Sequence, residues 1–258
     1  MSAPQTSRTA LLDRPVASDT FERVDTWVFD LDNTLYPGAC NLFAEVDQRM
    51  SAFIAKYLGV PLPHARHLQK SYYRQFGTTL AGMMKVHKMD PAAFLDYVHE
   101  IDLTPVPENQ ALRNAINALP GRKLIFTAGS RRHAENVAGK IGILDLFDDI
   151  MDIVDTAYTP KEKAEAYDHL VSRHAVKPQT SAMFEDMPHN LAPAKAIGMS
   201  TVLVHSAYMD HPIQRKMRSW TELPPHVDHM TDDLDAFLEL VLKALDSESQ
   251  TKTPDPAA

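Results

Sequence analysis

The chain has 258 residues, of which 44% are apolar and 23% charged, enough to bury the core of one large domain or of a domain with an insertion. Its 26 Lys and Arg against 34 Asp and Glu give a formal charge of −8, which disfavours binding to nucleic-acid polymers and to acidic membranes. The single cysteine, Cys40, excludes an intrachain disulfide and a thiolate zinc site.

The termini and the longest apolar segments bear on location. The first 20 residues lack the charged start and apolar run of a secretory signal, and no run of about 18 apolar residues could span a bilayer. We therefore expect a cytoplasmic protein without a membrane partner. Residues 1–22 and 246–258 are polar and without periodicity, so we expect both to be disordered tails.

Five short segments have the apolar, β-branched character of buried parallel strands. They are Thr26 to Phe29, Lys123 to Phe126, Ile150 to Val154, Ser181 to Phe184 and Thr201 to His205. Helical patterns separate most of them, over Ser130 to Ile141, Lys161 to His174 and Pro188 to Ile197. This alternation predicts an α/β fold with a doubly wound parallel sheet, and a further helix follows the last strand.

One interval is several times longer than an ordinary crossover, since roughly 90 residues separate the first two strands. Apolar residues recur at spacings of three and four over Leu42 to Leu58, and helical patterns follow over His64 to Phe76, Thr78 to Lys88 and Pro91 to Ile101. We predict an inserted all-helical cap at residues 36–104, with the core at residues 23–35 and 105–245. Its aromatic and methionine stripe is more typical of core packing, but we retain as candidate ligand contacts Tyr72, Tyr73, Thr78, Thr79 and Met83.

Polar side chains follow four successive predicted strands. The carboxyl ends of parallel strands share one edge of the sheet, where open α/β proteins bind ligands. Carboxylates, a hydroxyl, a glycine turn and a lysine at that edge predict a hard-cation site beside a phosphate site. In chain order the residues are Asp30 and Asp32, then Thr127 with Ala128 and Gly129, then Lys161, then Glu185 and Asp186.

These motifs resemble, in content and order, the four motifs of the haloacid dehalogenase superfamily, over about residues 24–240. The stretches DLDNTLYP, SYYRQFGTTLAGMMKVHK from Ser71 to Lys88, and FEDMPHNLAPAKAIGM are similar to its pyrimidine 5'-nucleotidase branch. Two positions depart from the family pattern. Ala128 stands where members often have Asn, and Glu162 follows Lys161 where Pro is common, which leaves Lys163 as the alternative lysine.

The resemblance implies a role for each motif residue. Asp30 is expected to be the nucleophile and a metal ligand, and Asp32 the general acid and base, with its backbone carbonyl on the metal. Thr127 and Lys161 are expected to bind phosphate, together with the backbone N–H of Ala128. Asp186 is expected to bind Mg²⁺, and Glu185 to be a second or water-mediated ligand. The two-step chemistry requires different pKa values at Asp30 and Asp32, which metal contact of the Asp30 carboxylate and distance of the Asp32 carboxylate from the metal would supply.

The resemblance thus implies a Mg²⁺-dependent phosphomonoester hydrolase that forms an aspartyl phosphate and acts on a small phosphorylated substrate, a pyrimidine nucleoside 5'-monophosphate such as UMP or CMP. The alternatives are a phosphatase or phosphomutase for another small metabolite, and a non-enzyme, either a phosphate-binding protein or a receiver-like phospho-acceptor. The long insertion argues against a receiver module. The sequence does not predict the oligomeric state.

Overall fold

A computed structural model of the protein describes residues 11–12, 18–205 and 212–251. Six strands form one sheet in the order β3-β2-β1-β4-β5-β6, and every neighbouring pair is parallel. The strands are β1 (Thr26–Phe29), β2 (Arg122–Phe126), β3 (Asp149–Met151), β4 (Ser181–Glu185), β5 (Ser200–Val204) and β6 (His229–Thr231). The predicted doubly wound α/β fold is confirmed. The strand order reverses between β1 and β4, and open α/β proteins bind ligands at the carboxyl ends of strands at such a point.

The α-helices of the described ranges are named in chain order. They are α1 (Ser18–Phe21), α2 (Leu42–Leu58), α3 (Leu62–Phe76), α4 (Thr79–His87), α5 (Pro91–Val98), α6 (Gln110–Ala118), α7 (Arg131–Ile141), α8 (Ala164–His174), α9 (Pro188–Ala196), α10 (Pro212–Met217) and α11 (Leu234–Thr251). Within the described segments, no helix is both long enough and apolar enough to cross a membrane.

Successive side chains of a strand point to opposite faces of the sheet, and in β1 the side chains on both faces are buried. Trp27 and Phe29 lie in a core cluster that also contains Phe184 and residues of α6, α7 and α11. Val28 lies in a second cluster, with residues of α8 and α9. Burial of alternate side chains in two cores explains the nearly continuous apolar sequence of this strand.

Helices α2 to α5 lie between β1 and β2 and pack around a core of their own. Ile54, Met83 and Val98 are fully buried there. Ile153 and Tyr158, from the segment after β3, pack against the same cluster. The inserted helices, called the cap below, therefore rest on the sheet domain beside the strand ends.

Two strands differ from the prediction by more than one residue at an end. β3 ends at Met151 instead of Val154, because the Asp152 carboxylate accepts hydrogen bonds from the backbone N–H of Val154 and Asp155, at 2.9 and 3.0 Å, and forms a turn. β6 was not predicted, since its three residues, His229–Thr231, contain too short an apolar run.

Both predicted tails are shorter than expected. Ser18–Phe21 is helical, and Phe21 is buried and stacks on Trp27 with ring centroids 5.9 Å apart. One aromatic side chain thus fixes this end on the sheet domain. At the other end α11 continues to Thr251, so residues 246–251 are helical. The remaining tail predictions, for residues 1–10, 13–17 and 252–258, lie outside the described residues.

Candidate active site

Asp30 lies directly after β1, at the centre of the carboxyl edge of the sheet. Its backbone N–H donates to Phe184 O of β4 at 2.8 Å, which continues the strand pairing. The residue is 5% exposed, and Thr34 Oγ1 donates to its side-chain Oδ2 at 2.9 Å. The carboxylate is therefore held in place by a hydroxyl four residues further along the same turn.

Lys161 reaches Asp30 from the loop before α8. Its buried Nζ donates to Asp30 Oδ1 at 2.5 Å, to Glu185 Oε2 at 2.6 Å and to Phe126 O at 3.1 Å. The alternative lysine, Lys163, has a side chain 57% exposed and lies 3.8 Å from Glu162. The structure thus places Lys161, and not Lys163, beside Asp30.

Three buried carboxylates lie together at this edge. One oxygen from each of Asp30, Glu185 and Asp186 lies within 4.8 Å of the others. Burial and the charge of Glu185 raise the pKa of Asp30 to about 7, although Lys161 opposes this. Burial, Glu185 and Asp30 likewise raise the pKa of Asp186 well above its usual value. One lysine does not balance three acids, and their oxygens are the ligands that Mg²⁺ prefers, so the residues fit a divalent cation.

Asp32 has a different environment. Its Oδ1 is 2.7 Å from the hydroxyl of Tyr36 and 2.9 Å from Nε2 of His133. Burial alone would raise the pKa of Asp32, but the charge and hydrogen bond of His133 and the hydrogen bond of Tyr36 lower it to about 2. The pKa values of Asp30 and Asp32 therefore differ, and the local hydrogen bonds at Asp32 are one source of the difference.

The turn after β2 carries the predicted phosphate ligands. Thr127 is buried, and its Oγ1 accepts a hydrogen bond from the backbone N–H of Gly129 at 2.9 Å, whereas Ala128 is exposed. A Cβ at Gly129 would lie 3.0 Å from His133 Cδ2 and 3.3 Å from Thr127 Oγ1. Glycine thus allows this turn to pack closely against His133.

The cap meets the sheet domain at the lysine loop. A Cβ at Gly77, which follows α3 with φ +83°, would lie 2.8 Å from Pro160 and from Glu162 Oε1. Tyr73, one turn earlier, is half-buried, and burial together with the charges of Glu162 and Asp186 raises its pKa to about 12. Among the predicted cap contacts, Tyr73 is thus one whose pKa the acids of the sheet domain help to raise.

The other four candidate cap contacts have packing or hydrogen-bond partners within the cap. Met83 is fully buried in the cap core, and the Tyr72 hydroxyl lies 2.7 Å from Nε2 of His87 within the cap. Thr79 Oγ1 donates to the backbone of α3, and Thr78 Oγ1 accepts from Ala81 N as the N-cap of α4. Packing and capping inside the cap occupy these side chains, and their contact with a ligand stays a prediction.

Sequence reasoning missed Thr34, Tyr36, His133 and His99. The first two follow Asp30 and Asp32 by four residues each, a spacing that could have suggested contact across one turn. His133 is three residues after the N-cap Ser130, and its backbone N–H donates to Ser130 Oγ at 3.3 Å. Its place in the first turn of α7 directs it toward the strand ends. His99, beyond the end of α5, carries no comparable local signal.

Comparisons with known proteins agree with this architecture. The Saccharomyces cerevisiae protein "Phosphate metabolism protein 8" is 29% identical over 154 residues, which are 54% of this chain and 46% of that protein. The chain thus spans about half the length of this curated relative.

Solved structures share the fold at low identity. A HAD phosphatase from Thermococcus onnurineus matches with a TM-score of 0.56 and 15% identity, over 84% of this chain and 98% of that one. The L-2-haloacid dehalogenase from Xanthobacter autotrophicus matches with a TM-score of 0.52 and 14% identity, over 84% and 98%. The family described as haloacid dehalogenase-like hydrolase matches residues 24–198, which include every predicted motif residue. On this match and this arrangement of strand-end residues, the chain belongs to the haloacid dehalogenase-like hydrolases.

Proposed function

We propose that this hydrolase cleaves phosphomonoesters, with Mg²⁺, through an aspartyl phosphate on Asp30. One observation carries the proposal: the carboxylate of Asp30 lies 2.5 Å from Lys161 Nζ and within a cluster with Glu185 and Asp186. A nucleophile, a fixed positive charge and a cation site at one point are the groups that phosphoryl transfer requires.

The reaction has two steps. In the first, an oxygen of Asp30 attacks phosphorus while the bond from phosphorus to the ester oxygen breaks, and Asp32 gives a proton to that oxygen. Because the pKa of Asp32 is about 2 before substrate binds, this proton is taken up with the substrate, whose negative charge raises the pKa of the carboxyl. In the second, water attacks the phosphorus of the aspartyl phosphate, Asp32 takes a proton from the water, and inorganic phosphate leaves with Asp30 restored. Atoms and protons balance over the two steps.

The electrostatics explain why the acids need cationic partners. A unit charge on phosphate 4 Å from a carboxylate is repelled by about 4 kcal/mol at an effective dielectric near 20. Lys161 offsets part of this repulsion. The metal would be held by Asp30 and Asp186, with the Asp32 carbonyl and with Glu185 directly or through water. When bound, Mg²⁺ supplies the positive charge that stabilises the phosphoryl oxygens.

The proposed substrates are pyrimidine nucleoside 5'-monophosphates, UMP or CMP. The cap stretch from Ser71 to Lys88 supports this choice, since it is similar to the nucleotidase branch and contains Tyr73, whose pKa the charges of Glu162 and Asp186 help to raise. The name of the yeast relative supports phosphate chemistry. The single cysteine supports a cytoplasmic location. Another small phosphorylated metabolite is the alternative substrate.

Carbon–halogen cleavage is the main rival, because the fold is shared with a dehalogenase. A leaving halide needs no proton, whereas the alcohol of a phosphate ester does. Asp32 lies in the same turn as Asp30, and Tyr36 and His133 hold its carboxyl group. It can exchange a proton with the leaving group, which ester hydrolysis requires and halide release does not. This residue favours ester hydrolysis.

A substrate panel tests the proposal. Purified protein with Mg²⁺ is assayed for phosphate release from UMP, CMP, ribose 5-phosphate, glucose 6-phosphate and pyridoxal phosphate, and for halide release from 2-chloropropionate. We expect the highest kcat/KM for UMP or CMP. Asp30→Asn should fold but lose at least about 10⁴-fold in turnover. Halide release without phosphate release, or turnover by Asp30→Asn at the parent rate, would refute the proposal.

A further inference from the structure

The carboxylate of Asp32 is held through one oxygen only. Oδ1 accepts from the Tyr36 hydroxyl at 2.7 Å and lies 2.9 Å from His133 Nε2. Among the described residues no side chain or backbone N–H donates to Oδ2. Two donors on Oδ1 fix the plane of the carboxylate and leave Oδ2 as the oxygen for exchanging a proton.

Contacts of both its backbone and its ring hold His133 in the sheet domain. It is 2% exposed, and its backbone is fixed by the N-cap bond to Ser130 Oγ at 3.3 Å. Its ring packs against the turn at Gly129, where a Cβ would lie 3.0 Å away. Because an ionised carboxylate only accepts, His133 Nε2 carries the hydrogen in its bond to Asp32. His133 therefore approaches Asp32 from the second strand end, while Tyr36 approaches from the first.

His99 connects this pair to the cap. It follows α5, the last cap helix, and its ring stacks on His133 with centroids 4.3 Å apart and an interplanar angle of 14°. His99 Nδ1 also lies 3.0 Å from Ser130 Oγ, the oxygen that accepts from the backbone of His133. The cap thus touches both the ring and the backbone support of the residue that holds Asp32.

We propose that His133 and Tyr36 are positioning residues that aim Oδ2 of Asp32 at the leaving group and the attacking water, and that His99 makes this alignment depend on the seated cap. The inference rests on the proposed phosphomonoester hydrolysis. It assigns proton exchange to one oxygen, Oδ2, and links the cap to acid–base catalysis through a stacked histidine pair.

Two esters with different leaving groups distinguish a role in positioning Asp32 from a merely structural role. kcat/KM reports the steps up to the first irreversible one, the transfer to Asp30. An alkyl ester such as UMP needs the proton of Asp32 in that step. In 2,4-dinitrophenyl phosphate the phenolate leaves without a proton, so misalignment of Asp32 should spare its transfer and slow only the later attack of water.

The experiment compares both esters with His133→Ala, Tyr36→Phe and His99→Leu, in the full chain with Mg²⁺. For His133→Ala we expect kcat/KM on UMP to fall at least about 100-fold and on 2,4-dinitrophenyl phosphate less than about threefold, with a burst of dinitrophenolate before slow turnover. Tyr36→Phe and His99→Leu should show smaller losses with the same preference for the activated ester. His67→Ala, at an exposed cap histidine, is the control and should change neither value.

An equal loss on both esters, or no loss on UMP, would overturn the role of His133. If only His99→Leu lost activity equally on both esters, or lost none on UMP, the proposed dependence of Asp32 alignment on the cap would be wrong. Tyr36→Phe removes a single hydroxyl, so it provides the test if His133→Ala does not fold.

If the proposed function is wrong, the wild-type protein will cleave neither ester. This result differs from every outcome described above for the variants. The position of Asp32 would be read in that case from crystal structures of wild-type protein and His133→Gln or Tyr36→Phe. An Asp32 carboxylate with unchanged orientation in both variants would overturn the inference, and a rotated carboxylate would support it.

Discussion

Lys161 Nζ and Asp30 Oδ1 lie 2.5 Å apart although 131 positions separate the two residues in the chain. The same nitrogen is 2.6 Å from Glu185 Oε2. All three groups are buried, so the lysine is the cation that the described residues provide for a cluster of acids. We therefore expect the stability of the sheet domain to depend on this one side chain.

Replacing Lys161 should destabilise the protein more than replacing its exposed neighbour. Lys161→Met leaves Asp30 and Glu185 buried without a cation, and we expect the free energy of unfolding in EDTA at pH 7 to fall by about 3 kcal/mol. Phosphate release should become undetectable. Lys163→Met, whose nitrogen is exposed, should change stability by less than about 0.5 kcal/mol. Urea unfolding measures both variants, and equal effects would contradict the assignment of the lysine.

Mg²⁺ should stabilise the folded chain through the three carboxylates. Added to EDTA-treated protein at 100 times its dissociation constant, a ligand of the native state alone contributes about 2.7 kcal/mol, so thermal unfolding should shift upward. Asp186→Ala should remove this shift and the activity together. Asp168→Ala, at an exposed acid of α8, is the matched control. A shift that persists in Asp186→Ala would place the cation elsewhere.

We expect an alanine at Gly77 to lower kcat/KM and an alanine at Gly59 to leave it unchanged. Both have positive φ, +83° and +65°, so an alanine at either position strains the backbone by about 1 to 2 kcal/mol. Only at Gly77 does the added Cβ meet the lysine loop, at 2.8 Å, whereas nothing lies within 4 Å at Gly59. We expect Gly77→Ala to lower kcat/KM at least about tenfold by displacing the cap or Glu162.

Thermal unfolding and steady-state kinetics of the two glycine variants decide this prediction. Similar stability losses with an unequal loss of activity support a contact between cap and lysine loop during turnover. Equal kcat/KM values in Gly77→Ala and Gly59→Ala would show that the contact does not affect the reaction.

His99 should make stability depend on pH. Burial and the charge of His133 lower the pKa of His99 to about 3, below its ordinary value of 6.5. As pH falls below 6.5, the unfolded chain binds this proton first, so folding stability is lost between pH 6.5 and pH 3. From pH 7 to pH 5 this loss amounts to at most about 2 kcal/mol for one group.

His99→Phe keeps a ring against His133 but cannot take up the proton. The difference between its unfolding free energies at pH 7 and pH 5 should therefore be smaller than that of the parent by up to about 2 kcal/mol. His67→Phe, at an exposed position, should keep the parent's pH dependence. A parental pH dependence in His99→Phe would show that the buried ring contributes nothing to it.

Local signals in the sequence were sufficient for the strands and cap helices that have long or wholly apolar patterns. β1 and α2 lie where predicted, since alternating burial on two faces and spacing of three and four are properties of single segments. The motif residues could also be placed, because parallel strands all end at one edge. β6 and the end of β3 could not, since three residues carry little pattern and a side-chain turn at Asp152 stops a strand whose sequence remains apolar.

In the cap, helical periodicity does not predict which side chains face the sheet domain. Tyr72 and Tyr73 are adjacent and chemically alike, yet one hydroxyl is 2.7 Å from His87 inside the cap while the other residue is affected by the acids of the sheet domain. Neighbours on a helix point about 100° apart, so the choice between them depends on how the helix is rotated on its partner. That rotation is set by packing of the whole cap.

The sequence by itself therefore determined a parallel α/β sheet, a helical insertion after its first strand, and the set of acids, hydroxyl and lysine at the strand ends. Only the tertiary structure decided that Lys161 instead of Lys163 reaches Asp30. It also decided that His133, 101 positions from Asp32, contacts the Asp32 carboxylate, and that His99, 67 positions away, stacks on His133. The reason is physical: a strand or helix records its own burial pattern locally, whereas contacts between distant segments follow from packing that no single segment encodes.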